Sequence, residues 1–316
     1  MCGLAARYPA RMASRIHVVG SLVVDRVMRV AAFPRAGQTV LARSLAVHPG
    51  GKGANQAVAA ARCGAAVRMC GRTGADGALV VDALRQAGVD VGAVQQGDPS
   101  SGTAVVMVSD DGENSIVVAP EANARLQEAH VAAFLAQAAP GELALFQNEC
   151  AGLAAGIRAA HARGLRAWLN AAPADETVRG VDLALLAGLA VNETEAEAMS
   201  GHRDPEAALQ ALAARMPEGT VILTLGAAGA MASQGGQTIR HAGYRVHAVD
   251  TVGCGDAFVG ASLAALAEGR TLEEAMAWGN AAGALAATKA GAIPSLPMRA
   301  EVARLAGMPA GSPALG

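Results

Sequence analysis

From Leu143 onward the chain alternates short apolar runs with helical stretches, and few folds accept that alternation. Strands are predicted at Leu143–Phe146, Ala167–Asn170, Leu183–Ala190 and Val221–Leu225. Helices fall between them, and two more follow at about 254–268 and 271–290. Strands joined by crossover helices pair in parallel, and a parallel sheet needs helices on both faces. The expected fold is therefore α/β with a mainly parallel central sheet. Upstream, Ile16–Gly20 and Val67–Gly71 read as further strands, with a helix from about Asp76 to Gln86. Two β-rich stretches, about 25–48 and 101–120, stand outside the alternation. The first carries a strand over Val40–Val47; the second reads as Gly102–Val108 and Ser115–Val118 around the turn Asp110-Asp111-Gly112-Glu113.

At 316 residues and 52% hydrophobic, the chain can bury a large core, in one main domain over residues 15–306. Aromatic residues make up only 3%, so packing must come from close approach of backbones rather than from rings. A net charge of −2 gives no reason to expect a nucleic-acid or membrane-surface partner. No window approaches the ~18 apolar residues of a membrane span. Five cysteines without CxxC spacing fit a reducing cytosol better than a disulfide framework or a zinc site. Residues 1–14 read as a disordered leader, with Met12 the more natural start, and residues 307–316 as a loose tail.

Two segments carry chemistry. In Asp250-Thr251-Val252-Gly253-Cys254-Gly255-Asp256-Ala257-Phe258, glycines break into a helix, so several N–H groups share its positive end. That end suits phosphate or a phosphoryl group in flight. A carboxylate there, Asp256, repels an anion unless it takes a proton from an attacking hydroxyl; the plainer alternative is a helix cap. In Gly50-Gly51-Lys52-Gly53-Ala54-Asn55-Gln56-Ala57, glycines again open a helix, running to about Arg62, while Lys52 and Asn55 offer donors to a polyhydroxylated or anionic ligand. Lys52 fails the Walker A spacing, and no GxGxxG follows the first strand, so P-loop and dinucleotide readings are disfavoured.

With Gly20-Ser21-Leu22-Val23-Val24-Asp25, Asn192-Glu193-Thr194-Glu195-Ala196-Glu197 and Thr224-Leu225-Gly226-Ala227-Ala228-Gly229, these segments resemble the signatures of the ribokinase (PfkB) family of carbohydrate kinases. The resemblance runs from about Ile16 to about Leu305. It implies a three-layer α/β/α sandwich with a small β-sheet lid built from the two extra stretches, often a dimer contact. It also implies a cytoplasmic, ATP-dependent kinase for a primary sugar hydroxyl, with D-ribose the expected acceptor. A nucleoside, another ketose or a deoxy sugar is the alternative within the same chemistry. A ligand-binding regulator is the non-enzymatic alternative.

By the same resemblance Asp256 is the base, and the amides of Gly253, Cys254 and Gly255 form the anion hole. Sugar contacts come from Asp25, Gly51, Lys52, Asn55, Glu149 and Asp256. Asn192, Thr224, Gly226, Gly229 and Gly255 line the nucleotide path, with Asn280 near the adenine. Glu195 helps hold Mg2+, and a monovalent cation, K+, sits among Asp250, Val252, Ala286, Lys289, Gly291 and Ser295. Val23 departs from the family pattern, which usually has asparagine there, and this puts the identity of the sugar in question. Cys254, at a helix start, would have a lowered pKa and be oxidisable; the plainer and favoured alternative is a cysteine that simply replaces another small residue.

Overall fold

The computed structural model describes residues 14–111 and 113–309, so most of the expected leader, including Met12, and residues 310–316 lie outside it. Its strands are β1 (Ile16–Val19), β2 (Val23–Arg29), β3 (Ser44–Gly50), β4 (Val67–Gly74), β5 (Asp90–Asp98), β6 (Gly102–Val108) and β7 (Asn114–Ala119). They continue with β8 (Leu143–Gln147), β9 (Arg166–Asn170), β10 (Gly188–Asn192), β11 (Thr220–Thr224), β12 (Gly229–Gln234) and β13 (Gln237–Ala242). The helices are α1 (Lys52–Arg62), α2 (Ala78–Gln86), α3 (Glu128–Leu135), α4 (Leu153–Ala162) and α5 (Glu176–Arg179). After them come α6 (Glu193–Ser200), α7 (Pro205–Ala214), α8 (Cys254–Ala267), α9 (Leu272–Ala287) and α10 (Arg299–Ala306).

The main sheet has the order β13-β12-β11-β10-β9-β8-β1-β4-β5. Every pairing from β11 to β5 is parallel, and the β12–β13 hairpin closes one edge antiparallel. Strand β8 shows why continuous apolar runs suit this position. It sends Leu143 and Leu145 into one core, and Ala144 and Phe146 into the other. Helices α1, α8 and α9 cover the first face, and α3, α4, α6 and α7 the second. This is the three-layer α/β/α sandwich.

A second sheet, β3-β2-β6-β7, stands apart from the first. It begins three residues beyond β1, where the Asn123 side chain clamps both backbone groups of Leu22, accepting from its N–H at 3.1 Å and donating to its C=O at 3.0 Å. Its apolar residues Leu45, Val47, Ile116, Val117 and Val118 are exposed.

Several elements differ from expectation. The strand expected at 40–47 lies at Ser44–Gly50. The run at 183–190 splits into a 3-10 turn, Leu183–Leu185, and a strand from Gly188, because Asp182 caps the turn by accepting from Ala184 N–H at 3.1 Å. The last long helix ends at Ala287, and α10, β5 and the β12–β13 hairpin were not foreseen. Residues 307–309 are tied back, with Met308 N–H donating to Ala303 O and Pro309 O accepting from Arg270.

The packing contact that positions the site is between α1 and α8. From Asp256 to Ala267 every residue of α8 is buried, and glycine, alanine and serine make up most of that run. At Gly260 a methyl group would stand 2.5 Å from Ala59 Cβ and 2.7 Å from Gln56 O. We expect Gly260→Ala to destabilise the fold by about 1–3 kcal/mol in urea unfolding. It should also lower turnover, because α8 must move away from the α1 residues that face Asp256.

Candidate active site

At the carboxyl ends of the parallel strands, a cleft of about 230 Å³ is lined by Lys52, Asn192, Glu195, Thr224, Gly253, Gly255 and Asp256. Crevices beyond the strand ends are where open parallel sheets bind ligands. Seven of the residues singled out in the sequence therefore meet in one place. Asn170 and Thr251, which the sequence did not flag, line it too.

Asp256 is 7% exposed and sits in the first turn of α8. Its Oδ2 accepts from Asn55 Nδ2 at 2.8 Å, and its Oδ1 accepts from Gln56 Nε2 at 2.8 Å. It caps nothing, so the plainer reading of this residue does not hold. Gly253 is the residue before the helix, with φ +79°, a left-handed conformation that favours glycine. Gly255, by contrast, lies within the helix, and a Cβ there would meet nothing within 4 Å. Its lack of a side chain keeps the space before the helix open. Among the described residues, none accepts from the amides of Gly253, Gly255 or Asp256. The Cys254 amide differs: it donates to Thr251 O at 3.3 Å within the turn.

Lys52 opens α1 and faces three carboxylates. Its ammonium is held above the ordinary lysine value by Asp256 first, then by Glu149 and Glu195, against the effect of burial. Glu149 Oε2 accepts from Lys52 N–H at 3.0 Å and from the Ser21 hydroxyl. Asp25 lies inside β2, with Gly50 packed directly against its carboxylate. Burial, then the charges of Glu149 and Asp256, push Asp25 up to about 7. Asn55 Oδ1 is buried without a hydrogen-bond partner, as a ligand-facing acceptor would be.

Other expected residues lie around this centre. Asn192 ends β10 and caps α6: its Oδ1 accepts from Glu195 N–H at 2.8 Å, and Glu195 Oε2 accepts from Asn192 N–H at 2.9 Å. Burial raises the pKa of Glu195. Gly226 opens a 3-10 turn after β11, and Gly229 begins β12 against β13. Asn280, on α9, donates to His241 O at 3.3 Å and meets His241 Nδ1 at 3.0 Å. Asp250 accepts from Val252 N–H at 3.0 Å and Gly291 N–H at 2.8 Å, joining the loop before α8 to the segment after α9. In that segment Ser295 Oγ is buried and donates to Ala292 O at 2.7 Å, which leaves its lone pairs for a cation. Lys289 turns to Glu301 at 3.4 Å, and Ala286 lies in the core. Val23 and Glu149 line a neighbouring cavity of about 450 Å³ with Val118, Pro120 and Pro173. The sequence reading missed Gln56, Gln147, Asn170, Ser21 and Asn123, whose importance comes from three-dimensional hydrogen bonding rather than from spacing.

An open α/β/α sandwich with a carboxylate beside free amides at a helix start is a cleft suited to phosphoryl transfer. Comparison with known proteins gives the particular family. The pfkB family carbohydrate kinase profile matches residues 13–299, and the chain belongs to that family. It is 37% identical to a ribokinase of Haemophilus influenzae over 92% of this chain and 97% of that one. Its fold superposes on a ribokinase of Thermotoga maritima with a TM-score of 0.83 at 32% identity, covering 92% of this chain and 99% of that one. An Arabidopsis thaliana ribokinase complexed with ribose and ATP gives a TM-score of 0.81 at 30% identity, covering 94% and 100%. Among the described residues no helix is long and apolar enough to cross a membrane.

The lowered pKa that a helix start would give Cys254 is not found, in keeping with the plainer reading of that residue. Burial first, then the charges of Asp250 and Asp256, push its thiol up to about 11, so almost none is thiolate at neutral pH. Alkylation of Cys254 in the native protein at about pH 7.5 should run about 100-fold slower than that of free cysteine. Mass spectrometry over a time course of iodoacetamide treatment measures this, and a rate equal to the free thiol would contradict it.

Proposed function

We propose that this chain is an ATP-dependent kinase that phosphorylates the primary hydroxyl of D-ribose to give D-ribose 5-phosphate. The observation that carries the reading is Asp256, set beside three amides without acceptors and gripped by Asn55, whose own Oδ1 lacks a partner. Asp256 takes the hydroxyl proton as the sugar oxygen attacks the γ-phosphorus; the new O–P bond forms as the bond from that phosphorus to the ADP leaving oxygen breaks. The amides of Gly253 and Gly255 hold the charge on the transferring group. The Cys254 amide, engaged with Thr251, joins them when that turn opens. Asp25, Gly51, Lys52, Asn55 and Glu149 hold the sugar hydroxyls, and a wrong substrate that leaves such groups unpaired is rejected.

Asn192, Thr224, Gly226, Gly229 and Asn280 follow the nucleotide in this reading. Magnesium would be held by Glu195 through water and by the phosphates, which suits a site with one carboxylate, and would neutralise phosphate charge. Potassium would lie among Asp250, Val252, Ala286, Lys289, Gly291 and Ser295, fixing the loop that carries the amides. The exposed apolar residues of the small sheet support a homodimer through the lid. The free state of Cys63, Cys70, Cys150 and Cys254 supports a cytoplasmic setting.

A second reading is favoured by Val23, which is 4% exposed and gives no hydrogen bond at the edge of the larger cavity. An acceptor with an apolar group there, such as a nucleoside, would fit that wall.

Two measurements test these readings. Asp256→Asn should lower turnover about 100- to 10,000-fold while sugar binding survives. Coupled ADP release with ribose, other sugars and nucleosides, with and without potassium, ranks the acceptors. No turnover with any of them would end the kinase reading, and preference for a nucleoside would favour the second. The pH dependence follows from Asp25. As pH falls through about 7 its carboxylate takes a proton and loses acceptor capacity, so the sugar KM should rise about fivefold from pH 7 to about pH 6. A KM flat across that range would remove Asp25 from the ionised contacts.

A further inference from the structure

Behind Asp256 lies a buried chain of amides that none of the binding roles above accounts for. Gln147 Nε2 donates to Gln56 Oε1 at 2.8 Å; Gln56 Nε2 donates both to Asp256 Oδ1 and to Asn170 Oδ1, each at 2.8 Å. Asn170 Nδ2 in turn donates to Ala190 O at 3.1 Å. The four groups come from β8, α1, β9 and α8, so the chain runs across the sheet into the cleft. Gln56 and Gln147 are 0% and 1% exposed.

The direction of every bond is dictated by chemistry. An ionised carboxylate and a backbone carbonyl can only accept. Asp256 therefore requires Gln56 to present its NH2 group, and Ala190 requires Asn170 to present its own. Gln56 is then left with its oxygen toward Gln147, which must donate. Gln147 keeps this orientation although its Oε1 is buried without a partner, an unfavourable state that a leucine of similar size would avoid. Packing alone does not call for an amide there; holding the Gln56 amide in one orientation does. The same amide would otherwise rotate and set its oxygen against the carboxylate.

We propose that Gln147 and Asn170 are positioning residues that lock the Gln56 amide, and that Gln56 holds Asp256 Oδ1 so that Oδ2 stays on the Asn55 side, toward the incoming hydroxyl. The proposal rests on Asp256 being the base. Gln147 touches no part of the cleft, so its effect passes through Gln56 to the carboxylate. Misplacement of a reacting group by about 1 Å can cost 100-fold in rate.

The test is a set of variants in the full chain: Gln56→Met, Gln147→Met, Asp256→Asn, and each Met variant combined with Asp256→Asn. The kinetics use ribose and ATP. Gln56→Met should lower kcat about 10- to 100-fold and Gln147→Met about tenfold, with both KM values within about twofold of the parent. In the Asp256→Asn background neither should lower kcat further, since the group being positioned is gone. Four results overturn the proposal: unchanged kcat in both single variants, a loss confined to KM, an equal loss in the Asp256→Asn background, or a loss explained by a lowered melting temperature. If Asp256→Asn itself keeps more than about a tenth of parental turnover, the assignment of the base fails instead, and the two failures are told apart.

Discussion

The close approach of α1 to α8 is the constraint on which the site depends. Asn55 and Gln56 lie about two hundred positions from Asp256 in the chain, yet all three share hydrogen bonds of 2.8 Å. That contact exists because α8 carries glycine and alanine where it faces α1, so the two backbones come near enough for short amide side chains to span the gap. With larger residues the helices would separate, and the carboxylate would be left in a polar pocket without fixed direction. The scarcity of aromatic residues thus has a structural purpose. A sandwich packed through small side chains can place two helix starts side by side at the ends of its strands.

Electrostatics in the cleft follow from the same crowding. Glu149, Glu195 and Asp256 face one ammonium, that of Lys52, and Asp25 stands near Glu149 and Asp256. Their mutual repulsion and burial raise Asp25 and Glu195, whereas Lys52 is held charged. The free amides before α8 add positive potential without adding a titratable group. An anionic ligand therefore meets a site whose positive elements are mostly backbone, fixed by the fold rather than by flexible side chains.

Much of this was legible in the chain itself. The parallel sheet followed from apolar runs alternating with helices, and the cleft residues Lys52, Asn192, Glu195, Thr224 and Asp256 came from recognisable segments. The boundaries that failed did so for local reasons. Asp182 captures a turn that apolar content alone reads as strand, and β5, with its many polar residues, gives little hydrophobic signal at the sheet's edge. The sign of the Cys254 shift was missed because a helix start argues for a lowered pKa, while burial and two nearby carboxylates, invisible in sequence, outweigh it. The supporting amides Gln147 and Asn170 were equally hidden, since each ends an ordinary-looking apolar strand.

The location of Asp25 within β2 has a wider consequence. Side chains in a strand alternate faces, and a slip of one residue would turn the carboxylate to the other side of the sheet. Its aim is thus set by the β2–β3 and β2–β6 ladders and by the Asn123 clamp at Leu22. The small sheet therefore fixes where this charge stands. Its placement relative to the main sheet sets the distance from Asp25 to Asp256, so the shape of the cover and the ionisation of the chamber beneath it are linked.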